Sequence, residues 1–86
     1  RDMTSILVSV HNRPGMLHRL LIPAAQAGID LSRIESRPTR RQAWDYNFFI
    51  DLEGHIEEER VRQVVEQIEA EAVSLKILGS YPKAVL

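Results

Sequence analysis

Between Ala43 and Leu52 the chain alternates with the two-residue period of a half-buried strand. Trp44, Tyr46, Phe48, Ile50 and Leu52 share one face; Ala43, Asp45, Asn47 and Asp51 share the other, with Phe49 as its exception. Such a strand packs one face against helices and leaves the opposite face at least partly wet, the usual condition of an antiparallel sheet. The rest of the chain has to supply the other strands and a cover for one side only.

Thr4 to Val10 reads as a buried strand, β-branched and almost continuously apolar. His11-Asn12-Arg13-Pro14-Gly15 is a turn, and a helix follows to about Ala27, with Leu17, Leu20, Leu21, Ala24 and Ala25 at helical spacing. Gly28 stands where a left-handed C-terminal cap is expected, followed by the apolar Ile29. Pro23 conflicts with this helix, because an interior proline removes a backbone hydrogen bond. A kink, or a break in hydrogen bonding near Arg19, is expected there. Ile29 to Arg37 reads as a second strand whose apolar parity slips between Leu31 and Ile34, which a β-bulge explains. Residues 38–42 form a loop. Beyond the alternating strand, Gly54-His55 turns the chain into a second helix carrying Val61, Val64, Val65, Ile68 and Ala72 on one stripe. Glu57, Glu58 and Glu59 are expected in its first turn, where the helix dipole favours them. Val73 to Tyr81 is the last strand, stopped by Pro82. Strand, helix, strand, strand, helix, strand, with right-handed crossovers, predicts an α+β fold of ferredoxin-like βαββαβ type. Its four-stranded antiparallel sheet has both helices on one face.

With 86 residues the chain is a single domain, residues 1–86, burying roughly 60–65% of its unfolded surface, so association would help it. A net charge of −1 gives no reason to expect nucleic acid or an anionic membrane as partner. The chain has no cysteine, which removes disulfides, thiolate metal sites and cysteine nucleophiles and fits a cytoplasmic location. No apolar run approaches the ~20 residues that span a bilayer. Arg1 in place of an initiator methionine suggests a fragment of a longer protein.

His11 and His18 lie seven apart across a turn and His55 in a distant loop, without the spacing or carboxylates a metal needs, so neither metal nor cofactor is expected. Arg33, Arg37, Arg40 and Arg41 form a basic cluster. RNA-binding domains of this fold stack bases on aromatics of the first and third strands. Here the first strand has none, and Trp44, Tyr46 and Phe48 read as core. Two segments are better candidates. Pro14-Gly15 opens a helix whose first N–H groups lack internal partners and attract a carboxylate, and glycine lets a ligand approach closely. Glu35-Ser36-Arg37-Pro38 offers a carboxylate for an ammonium, a hydroxyl, and a guanidinium for a carboxylate. A zwitterionic amino acid needs that mixture.

Pro14-Gly15-Met16-Leu17-His18 and Ile34-Glu35-Ser36-Arg37-Pro38 resemble the two ligand-contacting motifs, GAL(V/H) and ESRP, of the phenylalanine-sensing ACT domain. Gly28-Ile29-Asp30-Leu31, Phe48 to His55 and Leu75 to Pro82 extend the likeness over essentially the whole chain. The chain is similar to the C-terminal ACT domain of bacterial prephenate dehydratase, monofunctional or fused to chorismate mutase. That resemblance implies a homodimer of ACT domains with L-phenylalanine bound between one subunit's turn-and-helix and its partner. Asn12, Gly15, Met16, Leu17 and His18 match the first motif; Glu35, Ser36, Arg37 and Pro38 match the second. Met16 departs from the usual alanine, and its longer side chain is expected to narrow the pocket or alter ligand choice. The resemblance further implies a catalytic dehydratase domain in the parent chain, converting prephenate to phenylpyruvate under feedback inhibition by phenylalanine. No catalytic motif such as Thr-Arg-Phe occurs here, so this piece is expected to be regulatory. Two alternatives stay open: the regulatory ACT domain of an aromatic amino acid hydroxylase, and a dimerisation module with no ligand.

Overall fold

Alternation along β1 (Asp2–His11) and β3 (Asp45–Glu53) sets the layout of the molecule, a computed structural model that describes residues 2–11, 13–38 and 45–82. The two strands pair antiparallel, Ile6 opposite Ile50, Val8 opposite Phe48 and Val10 opposite Tyr46, so their apolar side chains share one face. β2 (Leu31–Pro38) pairs with β3 and β4 (Ser74–Pro82) with β1, giving one antiparallel sheet in the order β2-β3-β1-β4. The helices α1 (Met16–Ala27) and α2 (Glu59–Glu71) make the two crossovers and pack on the same side. This is the ferredoxin-like arrangement expected from the element order. Ile6, Val8, Ile50 and Leu52 of the sheet meet Leu20 and Ala24 of α1 and Val61, Val64 and Ile68 of α2 in a core with almost no exposed surface. Among the described residues no helix is long and apolar enough to cross a membrane.

Local chemistry explains where the elements depart from expectation. Gly28 adopts φ 69° and, with Ile29, donates back to the carbonyls of Ala25 and Ala24, ending α1 as expected. The Ile29 N–H is thereby spent on the helix, which is why β2 begins at Leu31 and not at Ile29. The expected bulge is present, since the β2–β3 register shifts between Leu31 and Arg33. α1 continues as helix through Pro23, whose ring is buried; proline has no N–H, so the Arg19 carbonyl lacks its helical donor, as expected, without ending the helix. α2 starts at Glu59, later than expected, because Glu58 has an extended backbone and its carboxylate accepts the His55 N–H at 2.6 Å. Only Glu59 of the three glutamates lies in the first turn, and Ala72 is an extended cap beyond the helix. A second register shift, opposite Ser5 and Ile6, leaves Ile77 and Leu78 of β4 adjacent and both exposed. Beyond Pro38, the loop expected at residues 38–42 lies outside the described residues, as do Ala43 and Trp44 of the expected strand.

The β3–α2 turn carries one position that only glycine fits. Gly54 has φ 120°, donates to the Asp2 carbonyl at 2.7 Å and accepts from the Thr4 hydroxyl at 2.7 Å. A Cβ there would lie 2.5 Å from Val61 Cγ2, a core atom, and 3.1 Å from Glu58 Oε2. Strain and overlap together are expected to make Gly54→Ala cost about 2 kcal/mol. In a domain this size that lowers Tm by roughly 10 °C, measurable by thermal denaturation. A shift under about 2 °C would show that the turn relaxes freely.

Candidate functional site

The β1–α1 turn hangs over the end of the sheet where the helices stop covering it. Gly15 is the N-cap of α1 with φ 79°, a left-handed conformation that side-chain-bearing residues rarely adopt. The turn closes with the Met16 N–H on the Arg13 carbonyl at 3.1 Å. Glycine brings no side-chain oxygen to the helix start, and the first turn holds no acidic residue. The partial positive charge of the α1 N-terminus is therefore uncompensated, the condition that draws an anion.

Beneath this turn is a cavity of about 430 Å³, toward the small end of ligand sites, which run roughly from 300 to 1,000 Å³. Arg13 to His18 form its rim, and its floor is Val10, Tyr46 and Phe48. The two aromatic rings lie 6.4 Å apart at 27°. Met16 is 5% exposed and joins the core, whereas Leu17 is 43% exposed, directed at the opening and solvent. The site combines an apolar floor with a cationic, N–H-rich lip.

The structure gathers part of the expected site and divides the rest. Gly15, Met16, Leu17 and His18 all line the cavity. Asn12 lies outside the described residues, and of Pro38 only the backbone enters here, paired with Tyr46. Ser36 is exposed on β2, opposite Phe48, so it stands on the cavity's side of the sheet one strand away. Strand alternation sends Glu35 and Arg37 to the helix-free face. There Glu35 meets Arg33 at 3.3 Å, and Arg37 lies 5.6 Å over the Phe49 ring and 4.0 Å from Glu35. Arg33 also donates to Asp51 at 3.0 Å, and Asp51, with Glu35 secondary, holds its guanidinium above the usual range. Glu35 and Arg37 are thus separated from the cavity by the thickness of the sheet.

Sequence reading missed Val10, Arg13, Tyr46 and Phe48 as lining residues. Register was the available signal, because Val10 pairs with Tyr46 at the end of the sheet where the turn begins. His11 pairs with Asp45 at 2.8 Å, and His55 is engaged in the β3–α2 turn, accepting the Glu57 N–H at 3.0 Å. Among the described residues no three His, Cys, Asp or Glu side chains come together as metal ligands would. Arg40 and Arg41 lie outside the described residues.

Residues 4–70 match the ACT domain family model. The chain belongs to the ACT domain family. It is 59% identical over 85 residues to the bifunctional chorismate mutase/prephenate dehydratase of Pseudomonas aeruginosa, covering 99% of this chain and 23% of that protein. Among solved structures, the prephenate dehydratase of Arthrobacter aurescens in complex with L-Phe aligns with a TM-score of 0.87 at 36% identity, over 95% of this ACT domain and 27% of that chain. GqqA, described as a novel type of quorum-quenching acylase, aligns with a TM-score of 0.91 at 31% identity, over 96% and 43%. This ACT domain spans about a quarter of the length of the curated relatives it matches. Their dehydratase identity agrees with the resemblance carried by the two motifs.

Proposed function

We propose that this ACT domain senses L-phenylalanine for a prephenate dehydratase that carries it, acting in the cytoplasm as a feedback-inhibition module. The observation that carries the reading is the cavity under Gly15, with an apolar aromatic floor and the uncapped α1 N-terminus at its lip. A free amino acid with an aromatic side chain complements both. Its carboxylate takes the Leu17 and His18 N–H groups of the first turn, with Arg13 adding charge, and its ring rests on Val10, Tyr46 and Phe48. The L-Phe complex of the Arthrobacter aurescens relative supports that choice of ligand.

The cavity is open, and β2 has no described strand on its outer side. An edge with unpaired N–H and C=O groups is a template for a second copy. Two copies joined along β2 would bring Ser36 of each toward the shared opening. The bound effector then bridges a homodimer and favours one quaternary arrangement. Coupling of roughly 1–3 kcal/mol would be enough to inhibit a distant dehydratase site.

Calorimetric titration of L-phenylalanine into the domain, at a concentration where sedimentation shows the dimer, tests this. Saturable binding near one ligand per chain is expected, with D-phenylalanine and L-leucine much weaker. Absence of heat in the folded dimer would leave a dimerisation module without a ligand.

A further inference from the structure

The second motif is written on two surfaces at once. Ser36 points to the cavity's side of the sheet, while Glu35 and Arg37, its immediate neighbours, project from the helix-free side opposite Phe49 and Asn47. Any movement of β2 on closing around an effector displaces all three residues together, because they are consecutive on one strand. We propose that the helix-free face around Arg37, Glu35 and Phe49 is the surface through which effector binding is passed to the catalytic remainder of the longer polypeptide. This rests on the phenylalanine-sensing reading above.

The face has the make-up of an interface centre more than of a solvated sheet. Asp51 is only 7% exposed although neither helix covers it, held by the Ser5 hydroxyl at 2.6 Å and by Arg33. Leu7 and Phe49 pair across the central strands as an apolar island, and the Arg37 guanidinium lies over that ring. Arginine and aromatic side chains are the groups enriched where protein interfaces are buried. Arg37 is also loosely committed. Its side chain is 72% exposed, and among the described residues its nearest carboxylate oxygen is 4.0 Å away, so its planar donors suit an incoming carboxylate or backbone carbonyl.

The occupant follows from what lies outside this domain. Relatives such as the Pseudomonas aeruginosa enzyme have about three quarters of their length beyond the matched region, and a sensing domain has to touch that part to regulate it. The opposite face is filled by α1 and α2, and the β2 edge is the one a second copy would use. The helix-free face is engaged by neither, and it includes Met3 near the start of β1, one of the two central strands. A catalytic domain presenting a carboxylate or carbonyl beside an apolar contact for Phe49 fits it.

The test uses the full-length protein carrying this domain, with Arg37→Glu and, independently, Phe49→Thr, which places a β-branched residue of good strand propensity there. Phenylalanine affinity is read by calorimetry and inhibition by the dehydratase rate at increasing phenylalanine. Both variants are expected to bind phenylalanine within about threefold of wild type, while the concentration for half-inhibition rises at least about tenfold. Loss of binding by a folded Arg37→Glu protein would place Arg37 in the effector site and overturn the inference. Unchanged inhibition in both variants would overturn it equally. A wild-type protein that binds no phenylalanine would instead remove the sensing reading on which it stands.

Discussion

Ser36→Trp is expected to abolish measurable phenylalanine binding, a loss of at least about 100-fold or roughly 2.7 kcal/mol, with the fold intact. Ser36 is exposed, and among the described residues its hydroxyl has no hydrogen-bond partner, so no folded-state interaction is lost with it. Its strand is an edge, and tryptophan suits a strand. Surface substitutions of this kind usually change stability within about 0.5 kcal/mol, so Tm should move by no more than a few degrees. The indole, however, would stand on the cavity's side of the sheet next to Phe48, filling the space a ring-bearing ligand needs. It would also crowd the edge along which a second copy is proposed to pair. Calorimetry and thermal denaturation on the same preparation separate the two effects. A variant that binds phenylalanine normally would exclude Ser36 from the site, and one that fails to fold would show that β2 does more for stability than its exposure suggests.

The fold was legible because its signals are local and mutually consistent. Alternation over β3, the glycine after α1 and the parity slip at Ser32 each have one cheap structural solution, and the chain adopts it. What stayed hidden depended on competition for single groups. The Ile29 N–H belongs to the helix cap and not to a strand. The Glu58 carboxylate ties down the His55 N–H instead of starting the helix. Both outcomes turn on which partner lies nearer in three dimensions. The site shows the same division. Its first motif is a continuous turn, so adjacency in sequence became adjacency in space around one cavity. Its second motif is a strand, in which consecutive residues face opposite ways. Within one copy, that alternation divides Glu35 and Arg37 from Ser36, and the shared parity of Ile34 and Ser36 is the sequence signal for it. The stripe that Tyr46 and Phe48 share with Ile50 and Leu52 marks them as core, and they do pack against it. They are only half-buried, because α1 begins where their end of the sheet is left open.

Met16→Ala is expected to lower stability by about 2 kcal/mol and to widen what the cavity accepts. The substitution restores the residue usual in the resembling motif, and alanine is the better helix former, so intrinsic propensity opposes the loss slightly. Packing decides the sign. Met16 is 5% exposed and sits in the core cluster as well as against the cavity floor, so truncation removes contacts on both sides. The cost falls at the low end of the roughly 2–5 kcal/mol range for such truncations because one side is already open and solvent fills part of the void. Space vacated beside Val10, Tyr46 and Phe48 is then available to a larger ligand ring. The ratio of tryptophan to phenylalanine affinity is expected to rise about tenfold, or 1.4 kcal/mol. Urea denaturation measures the first effect and competitive calorimetry the second. Undiminished stability would mean that the side chain only lids the cavity, whereas an unchanged affinity ratio would mean that the ligand's ring lies elsewhere than on this floor. Both outcomes together would mean that one buried thioether stabilises the domain and limits the size of the ligand it takes.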